Sequence, residues 1–300
     1  MPSYVVTGAS RGLGSSFIKL EFVRTLSSDT QNTVIGLVRN KAAAEKAFGE
    51  AVPKNLSFLS ADITDLEALK VKTRGANEAV PFPVLLRWTL TISESAATET
   101  AELTGGGLDY LINNAALVSE TSCYRTLGDF AHDPQILIKD LQVSFDVNVI
   151  GPINTVNTFI PLLRKGREKK VFTLSTGMAD VDFINQIDIA DAAPYSISKG
   201  AVNVAVAKYN ALYKSEGILF MAISPGYVDT GKGMPSPDNV EDMKAAQDMA
   251  AKFAAYAPHF TAASTPHESV NDMLKLFERS SIKNGNGGTF VSHFGNKQWL

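Results

Sequence analysis

The chain of 300 residues carries a single cysteine, Cys123, so no internal disulfide can form and a reducing compartment fits best. That lone thiol reads as an incidental small residue. Charge of neither sign dominates: 28 Lys and Arg stand against 31 Asp and Glu, a net of −3. Without a basic face, nucleic acid and anionic membrane surfaces are not expected partners. No stretch of about 18 uncharged apolar residues occurs, which argues against a transmembrane helix. The start, Met1-Pro-Ser-Tyr-Val-Val-Thr-Gly8, lacks a basic region followed by a long apolar run, so no signal peptide is read. A cytoplasmic chain without a membrane partner is expected. His132, His259, His267 and His293 show no metal-ligand spacing and read as surface or hydrogen-bonded imidazoles, with no metal site.

What is present is an alternation of short apolar runs and longer amphipathic stretches. Tyr4–Thr7, Thr33–Val38, Leu56–Leu59, Leu108–Ile112, Lys170–Leu174, Ile218–Ile223 and Thr289–Ser292 read as strands. Gly14–Leu26, Leu141–Leu163, Ser198–Ser215 and Asp238–Ala255 have helix length. Uninterrupted apolar strands spaced by helices imply a parallel sheet covered on both faces. Right-handed crossovers then give an α/β fold, a single doubly wound Rossmann-type domain over 1–300 with about seven parallel strands.

The first strand runs into Thr7-Gly8-Ala9-Ser10-Arg11-Gly12-Leu13-Gly14, followed by a helical pattern. Glycines here allow a tight turn, backbone approach to a pyrophosphate, and close packing of helix on strand. The helix N-terminus offers free N–H groups to the phosphates. Gly8, Ser10, Arg11, Gly12, Leu13 and Gly14 are therefore cofactor candidates. Their T-G-x-x-x-G-x-G spacing, rather than G-x-G-x-x-G, resembles the short-chain dehydrogenase/reductase family.

Strand two ends in Arg39-Asn40 with no acid to accept from a ribose 2′-hydroxyl. A guanidinium suits a 2′-phosphate, and Arg11 lies in the same predicted pocket, so NADPH is expected over NADH. Arg39 as a solvated loop residue is the alternative. Asp62, with Ile63 beside it, follows strand three. The resemblance places it by the adenine, although an N-cap would equally explain it.

Tyr195-Ser-Ile-Ser-Lys199 puts a phenol and an ammonium four residues apart, on one face of a helix. The ammonium is expected to lower the tyrosine pKa from about 10 towards working pH. Such a phenol can protonate the alkoxide formed when hydride reaches a carbonyl carbon, and the lysine can hold the nicotinamide ribose. Order along the chain strengthens the resemblance. Asn113-Asn114-Ala115-Ala116 stands where the family carries N-N-A-G, departing at the last position. Asn148 matches the asparagine that supports a water in the family's proton relay. Pro225-Gly226 follows strand six, with Val228 and Thr230 matching positions that meet the nicotinamide carboxamide. The family's carbonyl-polarising serine falls in Leu174-Ser175-Thr176-Gly177. Pairing with the usual double serine points to Thr176, with Ser175 the alternative.

The resemblance implies an NADPH-dependent carbonyl reductase acting on a ketone or aldehyde. A non-catalytic NADP(H)-binding regulator or scaffold and an isomerase or cyclase on the same fold are the competing functions. It also implies a homo-oligomer through about Leu141–Leu163 and Ser198–Ser215. Residues 227–265 form the expected substrate-lid region, where Met234, Met243, Met249, Phe253, Tyr256 and Phe260 would line an apolar pocket or simply pack helices. Segment 71–93 is atypical: Pro81 and Pro83 break a helix, and its flanks Leu66–Lys70 and Glu94–Glu99 would otherwise join into one. A loop over a neighbouring surface, an oligomer contact and a translated intron remain open. A transcript lacking these codons would establish the last.

Overall fold

A computed structural model describes residues 1–9, 18–49, 51–64, 94–229, 235–236, 238–258, 260 and 262–300. Its sheet has seven parallel strands in the order β3-β2-β1-β4-β5-β6-β7. These are β1 (Ser3–Thr7), β2 (Thr33–Val38), β3 (Leu56–Ser60), β4 (Tyr110–Asn113), β5 (Lys170–Leu174), β6 (Leu219–Ser224) and β7 (Phe290–Ser292). The helices among the described residues are α1 (Ile18–Ser28), α2 (Lys41–Phe48), α3 (Glu94–Thr104), α4 (Pro134–Phe145), α5 (Gly151–Leu163), α6 (Val181–Ile187), α7 (Ala193–Tyr213), α8 (Val240–Tyr256) and α9 (Pro266–Arg279). None of these helices is long and apolar enough to cross a membrane.

Alternation along each strand splits its side chains between two cores. Val6, Phe172 and Met221 face one layer with Phe22 of α1 and Phe277 of α9. Val5, Val171 and Phe220 face the other with Phe159 of α5 and Val206 of α7. Both faces of β5 are buried throughout, which is why its sequence is continuously apolar apart from the Lys170 and Thr173 positions. Phe172 and Phe277 stack with centroids 3.7 Å apart. Lys170 stays buried by giving its ammonium to the carbonyls of Phe277 and Glu278 at the end of α9. Such a cation also complements the negative end of the helix dipole.

Two helical expectations need correction. Leu141–Leu163 is not one helix. It begins earlier, at Pro134, and between α4 and α5 the residues Asp146–Ile150 form a π turn. Pro152 has no N–H to continue the i→i−4 ladder, so the turn widens ahead of it. A Cβ at Gly151 would stand 2.7 Å from the Ile63 Cδ1, so Ile63 would have to shift to admit one. The second correction is α7, which starts at Ala193 rather than Ser198, with Pro194 in its first turn. Tyr195 and Lys199 therefore lie on the same helix.

The N-terminal rim of the sheet is braced by Asp109. Its Oδ2 accepts the N–H of Ser3 at 3.0 Å, and its Oδ1 accepts the N–H of Arg167 at 2.7 Å. Burial works against ionisation, but the main-chain donors of Arg167 and Ser3, with the Arg167 guanidinium, hold the carboxyl below its ordinary 3.8. Stability from this group is thus present above that value and lost as pH falls through the lowered one. Asp109→Asn is expected to lower stability by about 2 kcal/mol near neutrality, and the gap to the parent should close in acid. Denaturant unfolding at about pH 7 and pH 3 checks this; an equal gap at both would refute it.

Candidate active site

In a parallel sheet all C-terminal strand ends share one rim, and here the strand order reverses between β1 and β4. Thr7 closes β1 by accepting the N–H groups of Asn114 and Ala115 on its hydroxyl, each at 3.1 Å. The Asn114 amide returns a bond to the Thr7 carbonyl at 2.9 Å. Gly8 then turns with φ +66°, and a Cβ there would meet the Ala115 Cα at 2.8 Å. The turn is a close approach that only glycine makes. Ser10, Arg11, Gly12, Leu13, Gly14 and Thr230 lie outside the described residues, as do segment 71–93, Met234 and His259. Arg39 is exposed at the end of β2. Asp62 accepts from the N–H of Thr64 at 2.9 Å and from its hydroxyl at 2.8 Å, a local turn bond. Ile63 is buried against Gly151.

At the end of β5 the structure brings Thr176, not Ser175, to Tyr195. The Thr176 hydroxyl lies near enough to the Tyr195 phenol to hold its pKa down. Thr176 Oγ1 also accepts the N–H of Met178 at 3.3 Å. The Ser175 Oγ is buried without a partner among the described residues. Lys199 is fully buried. Its ammonium lies 5.9 Å from the Tyr195 ring centroid and donates to the Leu174 carbonyl at 2.8 Å. The expected lowering of the Tyr195 pKa is not found. Burial pushes the phenol up to about 12, and Thr176 only partly opposes it. Desolvation is the largest cause of the shift.

Asn148 sits in the π turn and is buried. Its Nδ2 donates to the Leu117 carbonyl and to Ser198 Oγ, both at 2.9 Å, and its Oδ1 accepts the Leu117 N–H at 2.8 Å. Ser198 Oγ in turn donates to the Tyr195 carbonyl at 2.7 Å. Both amide hydrogens of Asn148 are thus committed to tying the segment after β4 to α7.

After β6 comes Pro225, whose carbonyl accepts Ser269 Oγ at 2.7 Å, and then Gly226 at φ +81°. Val228 pairs with Ser264 in a short parallel bridge. Several neighbours here escaped the sequence reading. Ser224 Oγ accepts the N–H of Gly177 at 3.2 Å and that of Gly226 at 3.4 Å, joining the ends of β5 and β6. Trp299 packs on Gly177, where a Cβ would stand 2.8 Å from its Cβ. His293 is a correction. Far from being a satisfied or surface imidazole, it is buried against Gly226 with no partner for Nδ1 among the described residues. Burial holds its pKa below the ordinary 6.5. His267 does lie at the surface, 2.8 Å from Glu21. No cluster of metal-ligating side chains occurs among the described residues. Cys123 is half-buried and close enough to Tyr124 and Tyr195 to bear on their titration.

The aromatic stretch after β6 divides. Phe253 belongs to a third apolar cluster with Phe183, Ile187, Ile189 and Trp299, and Met249 and Tyr256 pack against it. For these three the packing reading holds. Tyr227 is 43% exposed and carries Phe253 and Phe260 on its ring at 5.6 and 5.8 Å.

Comparison with known proteins agrees with this geometry. Residues 3–241 match the family profile described as short chain dehydrogenase. The chain is 45% identical over 302 residues to the short chain dehydrogenase virK of Hypocrea virens, with all of both chains covered. It is 44% identical over 301 residues to the short-chain dehydrogenase/reductase AacuF of Aspergillus aculeatus, again with complete coverage. Among solved structures, an NADPH-bound carbonyl reductase from chicken fatty liver superposes with a TM-score of 0.67 at 23% identity, over 99% of this chain and 98% of that one.

Proposed function

The chain belongs to the short chain dehydrogenase family, and from that premise we propose that it is an NADPH-dependent reductase of a ketone or aldehyde on an apolar small molecule. The observation that carries the reading is Thr176 placed beside the Tyr195 phenol, with Lys199 one helical turn on and buried at the same rim. The residues present fit a nicotinamide dinucleotide. Gly8 leaves backbone room at the switch point of the sheet, and exposed Arg39 follows β2 where a 2′-phosphate would need a cation.

When bound, the cofactor supplies a hydride to the carbonyl carbon. Thr176 donates a hydrogen bond to the carbonyl oxygen, and Tyr195 delivers the proton that makes it an alcohol. A phenol held protonated by burial is in the form this direction needs. Lys199 would hold the ribose side of the cofactor, and Asn148 keeps α7 in register with the segment after β4. Exposed Tyr227, backed by Phe253 and Phe260, suits an apolar, aromatic substrate.

The deciding experiment is turnover of NADPH and NADH on a panel of ketones and aldehydes. Oxidation of NADPH in step with alcohol formation supports the reading. Preference for NADH removes the cofactor assignment, and carbonyl isomerisation without net NADPH loss moves the chain to the isomerase reading.

Ile136, Ile138 and Val143 of α4 and Ile197, Val204 and Leu212 of α7 are exposed apolar side chains, which supports self-association through these helices. Sedimentation is expected to give a dimer or tetramer; a monomer would refute it.

A further inference from the structure

Arg125 is bound in two directions at once. Its carbonyl accepts the N–H of Ala192 at 3.2 Å, and Ala192 is the left-handed residue that opens α7, three positions before Tyr195. Its guanidinium lies 3.6 Å from Glu241 Oε2 and 3.4 Å from Asp242 Oδ1, both in the first turn of α8. The turn carrying Arg125 is itself anchored. The Arg125 N–H donates to the Ser122 carbonyl at 3.1 Å, and Ser122 Oγ donates to the buried Asp140 of α4. The two residues before Arg125 are Cys123 and Tyr124, on the Tyr195 side of this segment.

The far end of α8 is tied as well. Lys252 donates to the Asp188 carbonyl at 2.5 Å, and Phe253 packs into the cluster holding Trp299, which backs Gly177. Phe253 also meets Tyr227 of the segment after β6. The helix is therefore tied at its start to the segment after β4, and at its end to Asp188, between α6 and α7, and to Tyr227 after β6. At its first turn, Asp242 Oδ2 accepts from Asn239 at 2.7 Å, whereas Asp242 Oδ1 is buried with no hydrogen-bond donor among the described residues. The Arg125 charge is what offsets the burial of that oxygen, so the contact is worth more than an exposed ion pair.

We propose that Arg125 is a positioning residue whose side chain holds α8 across the mouth of the candidate active site and so sets the affinity for the carbonyl substrate. This rests on the reading of the chain as a carbonyl reductase. Its two ties are separable. Substitution of the side chain releases α8, while the main-chain bond to Ala192, and with it the start of the helix bearing Tyr195, is retained. The signature is therefore a change in KM rather than in kcat.

The test compares Arg125→Met, which keeps the aliphatic length, with Arg125→Lys, which keeps the charge. Amide hydrogen exchange over residues 240–247 is read against α9 as an internal reference, alongside steady-state kinetics on the best carbonyl substrate and binding of NADPH. Arg125→Met is expected to speed exchange in 240–247 alone and to raise KM for the carbonyl about 5- to 20-fold. Its kcat and NADPH affinity should stay within about twofold of the parent. Arg125→Lys should restore most of both readouts. Raising salt from about 0.05 to 0.5 M should raise KM of the parent and leave that of Arg125→Met flat. Unchanged exchange in 240–247 overturns the proposal, as does a fall in kcat without a rise in KM. If the parent reduces no carbonyl at all, the reductase reading fails by itself, and the exchange comparison still decides whether Arg125 holds α8.

Discussion

Tyr195→Phe is expected to lower kcat/KM for carbonyl reduction by about 10³-fold, within the range a positioned general acid contributes. Phenylalanine fills nearly the same volume, and Pro194 still sits in the first turn of the helix. What is lost is the one proton donor beside Thr176. Affinity for NADPH should change by less than about twofold, since Lys199 and the Gly8 turn are untouched. An equal loss in cofactor affinity would mean the ring is structural, and retained activity would remove Tyr195 from the chemistry. The raised phenol pKa adds a check. In the enzyme free of cofactor, Tyr195 should contribute no tyrosinate absorbance until pH passes its ordinary 10.0. A tyrosinate signal below that value, lost in Tyr195→Phe, would contradict the burial argument.

The second large effect separates the two hydroxyls at the end of β5. Thr176→Val keeps shape and removes the donor, and is expected to cost 10²- to 10³-fold in kcat, the usual order for one oxyanion donor. Ser175→Ala should cost less than about tenfold, because its hydroxyl is already without a partner and its removal unpairs nothing. Thr176→Ser should stay close to the parent. The measurement is kcat for all three on one substrate at saturating NADPH, and the opposite ranking of Thr176→Val and Ser175→Ala would transfer the role to Ser175.

Much of this architecture could be read from residue order alone. Thr33–Val38 and Lys170–Leu174 are strands with the expected bounds because both their faces are buried, so the apolar run and the strand coincide. The Tyr195/Lys199 spacing was equally plain. Where the reading failed, the cause lay in contacts distant in sequence. The π turn at Asn148 depends on Pro152, which breaks the hydrogen-bond ladder ahead of it. The direction of the Tyr195 shift depends on how much protein covers the phenol. His293 looked idle because nothing in its neighbourhood of sequence announces Gly226. One signal was present but unused: Thr265-Pro266-His267-Glu268 is a capping box, and it marks the start of α9 and thus the end of the expected lid region.

The brace at Asp109 has a practical consequence for anyone wishing to use such an enzyme in a reactor. It belongs to the N-terminal rim, while Thr176, Tyr195 and Gly226 lie at the other, and a five-residue strand separates the rims by roughly 15 Å. Changes that far apart combine almost independently. Surface coupling, charge redesign or covalent immobilisation can therefore be directed to the rim around Ser3, Asp109 and Arg167, leaving the opposite mouth open to substrate, provided the carboxylate of Asp109 keeps its donors.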